Sequence, residues 1–180
     1  MILALDLATK TGWAYRNRSG KIVSGIWDFT SKRGEWNDKR YADCFHKLDG
    51  VCHKWLFGGV EDFTIWYEEP TPQSTDARKV LYGLLAVVKI ICHEYDITLH
   101  LDKKVTKKKN KITGKIYTNT TYRGVAPKTL KKFTTGYGNA SKADMMVQAG
   151  EIVGKMIDDD NEADAICLLA YAEEELCRTK

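Results

Sequence analysis

Ile2-Leu3-Ala4-Leu5-Asp6, with Thr11-Gly12-Trp13-Ala14 close behind it, is the stretch that decides the fold. Four apolar residues run without alternation into an acid. A continuous apolar run of this length reads as a strand buried on both faces. Ala8-Thr9-Lys10-Thr11-Gly12 reads as a turn, Trp13-Ala14-Tyr15-Arg16 as the start of a second strand, and Ile22–Phe29 as a third. The short turns between them predict an antiparallel meander.

Working outward, Tyr41, Phe45, Leu48, Cys52 and Trp55 recur at helical spacing, and Gly58-Gly59 ends that helix. Phe63-Thr64-Ile65-Trp66-Tyr67 is the next strand. It closes on Glu68-Glu69-Pro70, and Pro70 and Pro72 forbid its continuation inside a sheet. A long apolar helix is predicted from about Asp76 to Tyr95, then a strand over Ile97–Leu101. Alternating strands and helices imply parallel pairing with right-handed crossovers, so the sheet is expected to be mixed. Residues 103–123 look like an insertion, either a basic β-hairpin around Thr113-Gly114-Lys115 or a loop. Pro127 opens a short helix and Gly136-Tyr137-Gly138 is a tight turn. Ser141 with Asp144 begins another helix, and a final helix covers about Asn161 to Cys177. No composition break or internal repeat divides the chain, and 180 residues suit a single domain spanning 1–180.

Asp6 and Glu68 end two apolar strands, and Asp164 projects from the last helix with Asp160 and Asn161 one turn earlier. Carboxylates at strand ends are costly to bury unless a cation meets them. If the first and fourth strands are neighbours, Asp6 and Glu68 come together, and a helix packed across them adds Asp164. Such a set could hold two divalent ions for phosphodiester cleavage. Taken singly, each acid reads more simply as a turn residue, a solvent-facing charge or a helix-start residue. The joint pattern favours the metal site.

Charge supports this. Residues 103–143 carry twelve Lys or Arg and no acid, so the remainder of the +4 chain carries −8. A basic tract beside an acidic cluster suits an enzyme that draws in phosphates and binds cations. The plain alternative is a solvated run of lysines. Five cysteines without a Cys-x-x-Cys pair read as reduced thiols of a cytoplasmic protein. Cys44, His46, Cys52 and His53 hint at zinc, but Cys52 already belongs to an apolar helix stripe. No apolar run spans a membrane and no secretory leader is expected.

These residues are also where a family resemblance lies. Leu3-Ala4-Leu5-Asp6 with Thr11-Gly12-Trp13-Ala14, Tyr67-Glu68 with Asp76-Ala77 and Gly83, Gly136-Tyr137-Gly138-Asn139-Ala140-Ser141-Lys142, and Glu162-Ala163-Asp164-Ala165 resemble the RuvC family of Holliday-junction resolvases, most of all its phage-encoded members. The resemblance covers nearly all of the chain except residues 103–123. It implies an RNase H-like α/β fold, with a mixed five-stranded sheet flanked by helices. It further implies symmetric nicking of branched DNA by a homodimer with Mg2+ or Mn2+, two ions per active site, in a phage protein working in the bacterial cytoplasm. Carried over, Asp6, Glu68, Asn161 and Asp164 take the ligand positions, and Lys131 and Lys142 face the scissile region. Lys107, Lys108, Lys109, Lys111, Lys115 and Lys132 would add phosphate contacts.

Asn161 departs from the pattern, since the family usually has an acid three residues before the last Asp. It is a substitution that traps an inactive enzyme, or a natural residue beside an Asp160 that supplies the charge, or a sign that the alignment slips by one. The first is preferred because Asp-Glu-Ala-Asp is the string the resemblance leads one to expect. The leading expectation is therefore a structure-selective endonuclease, with Asn161 marking an inactivated form. The alternative is a non-catalytic branched-DNA-binding protein. A sugar-kinase or actin-like ATPase shares the Asp6-x-x-x-x-Thr11-Gly12 spacing, but 180 residues without a second phosphate loop argue against it.

Overall fold

A computed structural model describes residues 1–31, 38–60, 63–71, 74–99, 102–109 and 116–178, with 102–109 and 116–123 known by backbone alone. The strands are β1 (Ile2–Asp6), β2 (Lys10–Arg16), β3 (Ile22–Asp28), β4 (Thr64–Tyr67), β5 (Thr98–Leu99), β6 (Asp102–Lys109) and β7 (Ile116–Arg123). The helices are α1 (Lys39–Phe57), α2 (Thr75–Glu94), α3 (Pro127–Thr135), α4 (Lys142–Val153) and α5 (Asp160–Arg178).

Five strands form one sheet in the order β3-β2-β1-β4-β5. β1 pairs antiparallel with β2 and parallel with β4, and β4 runs parallel to β5. The mixed sheet expected from the meander and the crossovers is therefore present. Side-chain alternation then assigns the two faces. Leu3, Leu5, Ile65 and Tyr67 meet Leu48, Trp55, Leu84, Val88 and Ile91 of α1 and α2. Ala4, Ala14 and Trp66 meet Leu130, Met145, Ala163, Ile166 and Leu168 of α3, α4 and α5. By the same alternation Asp6 and Glu68 fall on the face covered by α5.

Helix boundaries follow their local chemistry. Ser141 and Asp144 form a complete capping box at the start of α4. Pro127 occupies the first turn of α3, and Gly136 ends that helix in the left-handed region at φ +82°. Gly58 ends α1 as expected.

Two expectations need correction. The Lys10–Gly12 segment is strand rather than turn, because β2 pairs along its length with β3 and, from Gly12, with β1. The strand predicted over Ile97–Leu101 begins one residue later, with Thr98 and Leu99 paired with Thr64 and Ile65, and residues 100 and 101 lie outside the described residues. Beyond them Val125 takes over that edge of β4: its N–H donates to the Tyr67 carbonyl at 2.9 Å and its own carbonyl accepts from Glu69 N–H at 2.8 Å. Cys44 and Cys52 are buried in the α1 core, where burial pushes their thiols up to about 12.

β6 and β7 form a separate antiparallel pair. The side chains of Lys107, Lys108 and Lys109, and residues Lys111 and Lys115 altogether, lie outside the described residues. Among the described residues no helix is long and apolar enough to cross a membrane.

Candidate active site of carboxylates

The site begins with strand register. Leu5 lies opposite Tyr67, so the next residues, Asp6 and Glu68, leave neighbouring parallel strands side by side. Glu68 N–H donates to the Leu5 carbonyl at 3.1 Å, which carries the pairing one step beyond the strand. On the other edge of β1, Asp6 faces Gly12 of β2.

Gly12 is what allows α5 to come down on this point. A Cβ at Gly12 would lie 1.8 Å from the Asn161 carbonyl oxygen, so only glycine lets the first turn of α5 rest on the strand. Thr11 holds the approach, its buried hydroxyl donating to the Ala8 carbonyl at 2.6 Å. Further along, Arg16 grips Glu173 through both carboxylate oxygens at 2.7 and 2.8 Å. Ser24 donates to Glu162 at 2.6 Å. These contacts seat α5 with Asp164 turned toward the strand ends.

Burial and like charge act on all three acids. Asp6 is pushed up to about 7, first by burial and then by the charges of Asp164 and Asp160. Glu68 is pushed up to about 9 by burial, Asp6 and Asp164, with Lys131 opposing. Asp164 rises to about 6 through burial and Asp160, with Lys131 and Lys142 opposing. Three carboxylates, from the end of β1, the residue after β4 and α5, therefore share one region in which burial and like charge outweigh Lys131 and Lys142. Among the described residues, no three His, Cys, Asp or Glu side chains are drawn tightly enough to grip one ion as they stand.

Two lysines border the cluster. Lys131 Nζ donates to the Ala140 carbonyl at 2.8 Å, which ties α3 to the loop before α4. Lys142 is ion-paired with Asp160, whose carboxylate that contact holds below its ordinary range. Lys132 is exposed on α3.

The acidic signature of α5 divides in three. Asp159 Oδ1 caps the helix, accepting from Asn161 N–H at 2.9 Å and Glu162 N–H at 3.2 Å. Glu162 is drawn away to Ser24 and Lys155. Asp160 and Asp164 remain, and the charge of Asp160 reaches both Asp6 and Asp164. Asn161 contributes its backbone to the seat on Gly12. Val125 and Gly124 escaped the sequence reading. Gly124 N–H donates to Glu69 Oε2 at 2.7 Å and fixes the chain leading into α3, and the only hint was an apolar residue just before Pro127.

The class that this sheet and these helices define is the RuvC form of the RNase H-like fold. The solved structure of Thermus thermophilus RuvC superposes with a TM-score of 0.65 at 15% identity, covering 99% of this chain and 96% of that one. T. thermophilus RuvC in complex with a Holliday junction substrate gives 0.66 at 14% identity, with 99% and 96% covered. The yeast mitochondrial Holliday junction resolvase Ydc2 aligns over 99% of this chain and 83% of its own, at 10% identity and a TM-score of 0.48. No protein-family model and no curated protein sequence matches the chain.

Proposed function

We propose that this chain is a metal-dependent endonuclease that resolves four-way and related branched DNA by paired nicking, working as a homodimeric, single-domain nuclease with Mg2+ or Mn2+. The observation that carries the reading is the convergence of Asp6, Glu68 and Asp164, each held above its ordinary range by burial and by its neighbours' charge. A donor set of hard carboxylate oxygens suits hard divalent cations. Two such ions, once bound, would supply an activated water and stabilisation of the leaving oxygen.

The chain's own residues would do the rest. Asp6, Glu68 and Asp164 hold the ions. Asp160 provides the fourth carboxylate in place of Asn161, since its charge already reaches the cluster while an amide carries none. Lys131, anchored on the Ala140 carbonyl, steadies the groups around Glu68 and Asp164. Lys142, freed from Asp160, faces the phosphate as negative charge develops on it. Lys132 and the lysines at 107–109, 111 and 115 position the backbone without reading bases.

A labelled four-way junction, incubated in Mg2+ and Mn2+ with the native chain and with Asn161→Asp, tests this. Nicking by both supports Asp160 as the fourth acid. Nicking by Asn161→Asp alone marks the native chain as an inactivated resolvase. The second reading, a branched-DNA-binding protein without catalysis, rests on the amide at Asn161. It requires tight junction binding with no cleavage by either. Mn2+ titration by calorimetry separates the cases independently: Asp160→Asn should weaken binding if Asp160 is a ligand.

A further inference from the structure

A groove of about 570 Å³ lies between the loop after α3 and the flank of α4, and Ala140, whose carbonyl accepts from Lys131, is one of its walls. Thr135, Tyr137, Asn139, Ala140, Val147 and Gln148 line it. Tyr137 is 72% exposed, yet it stands on a well-held loop. Its N–H donates to Thr135 Oγ1 at 3.2 Å, its carbonyl accepts from Ala140 N–H at 3.3 Å, and Thr135 in turn donates to the Lys131 carbonyl at 2.9 Å. Gly136, in the left-handed region, turns the chain so that the next residue projects outward. An aromatic ring presented to solvent on a pre-ordered loop loses little freedom when something stacks on it.

The other walls suit the edge of a planar heterocycle. Asn139 brings both donors and an acceptor, and Gln148, whose amide N–H donates to Glu151 at 3.0 Å, keeps its carbonyl oxygen. Val147, 60% exposed, gives an apolar floor. Asp144 lies at the rim, but its carboxylate is engaged by Ser141 through the capping box. Exposed lysines on the helix that leads into the groove would suit a phosphate backbone nearby. Lys128 and Lys132 are exposed on α3. The loop itself is anchored by Lys131, whose charge is felt at Glu68 and Asp164, and it leads within two residues of Ala140 to Lys142.

We propose that this groove receives an unstacked nucleobase from a nucleotide beside the cut phosphate, with the Tyr137 ring stacked against it. This deepens the endonuclease reading and rests on it. A base inside a duplex is already covered by its neighbours. A base at a branch point is the one most readily turned out, so the groove would favour branched over continuous DNA.

The test is a cycle between protein and DNA, run on the full chain without divalent metal so that nothing is cut. Affinity is measured for duplex, for an intact junction, and for junctions with one abasic site at each nucleotide flanking the branch. The native chain should prefer the junction and lose affinity at one abasic position. Tyr137→Ala should bind the intact junction about 5- to 150-fold more weakly and no longer respond to that abasic site. Tyr137→Trp, which keeps a stacking surface, should restore both. If Tyr137→Ala keeps the native affinity, or responds to every abasic site as the native chain does, the groove proposal fails while the junction preference stands. If the native chain holds duplex and junction alike, the parent reading fails and takes this one with it.

Discussion

The two faces of the central sheet differ in how closely their helices approach the strands of the meander. On the α1 and α2 side the strands present bulk. Trp13 stacks on Trp27 at 5.6 Å, Tyr15 meets Trp55 edge-on at 4.7 Å, and Trp55 meets Phe63 at 4.8 Å. On the α5 side the strands present Gly12, Ala4 and Ala14 to Ala163, Ala165 and Ala172. Large rings fill a wide gap between layers and tolerate some adjustment. Small residues bring the helix backbone almost onto the strands. That close approach carries Asp164 within electrostatic reach of Asp6 and Glu68. Both faces bury apolar side chains, Trp66 and Leu168 among them on the α5 side, but where α5 crosses Gly12, Ala4 and Ala14 the strands give up bulk and a charged site is assembled.

The sharpest way to break this contrast is to excavate the bulky face. Ile91→Ala or Leu84→Ala should cost about 2–5 kcal/mol in urea denaturation, since both side chains are fully buried. The folded fraction should keep its Mn2+ affinity, and a loss there would show that the faces are mechanically coupled. On the other face, Asp6→Asn should lower junction cleavage by more than about 100-fold, beyond the 10–100-fold usual for outer partners of a metal site. The same change should raise the Tm of the metal-free protein, because it removes repulsion with Asp164 and Asp160.

Two glycines sharpen the comparison. Gly12→Ala should destabilise by about 1–3 kcal/mol and weaken Mn2+ binding, because the added methyl pushes α5 off the strand. Gly50, within α1, has nothing near its missing Cβ, so Gly50→Ala should stabilise by about 0.5–1 kcal/mol and leave the site untouched. Equal responses in thermal and calorimetric assays would remove the distinction between the faces.

The pH dependence probes the charged face alone. Glu68 is raised from 4.5 to about 9 on folding. Between those values the folded state binds the proton and the unfolded state does not. Stability of the metal-free protein should therefore fall as pH rises through that window. The Tm of the metal-free protein should fall across that window. Glu68→Gln should flatten the slope, and an unchanged slope would place its origin elsewhere.

Local pattern determined a good deal of this. The apolar run ending in Asp6, the run ending in Glu68, the stripe of α1, the capping box of Ser141 and the turn at Gly136 are all short-range signals. Strand periodicity then fixes which side chains share a face. The tertiary structure alone decided how α5 meets that face. Thr11-Gly12 read as a turn because glycine after a β-former usually marks one, yet the segment is held as strand by partners on both edges. Asp159, Asp160 and Glu162 are chemically alike in the sequence. They part company because one caps a helix, one faces Lys142 and the cluster, and one is drawn to Ser24 on a strand far away in the chain. The distance between a helix and a sheet depends on side-chain volumes contributed by segments remote from each other, and no local pattern encodes that sum.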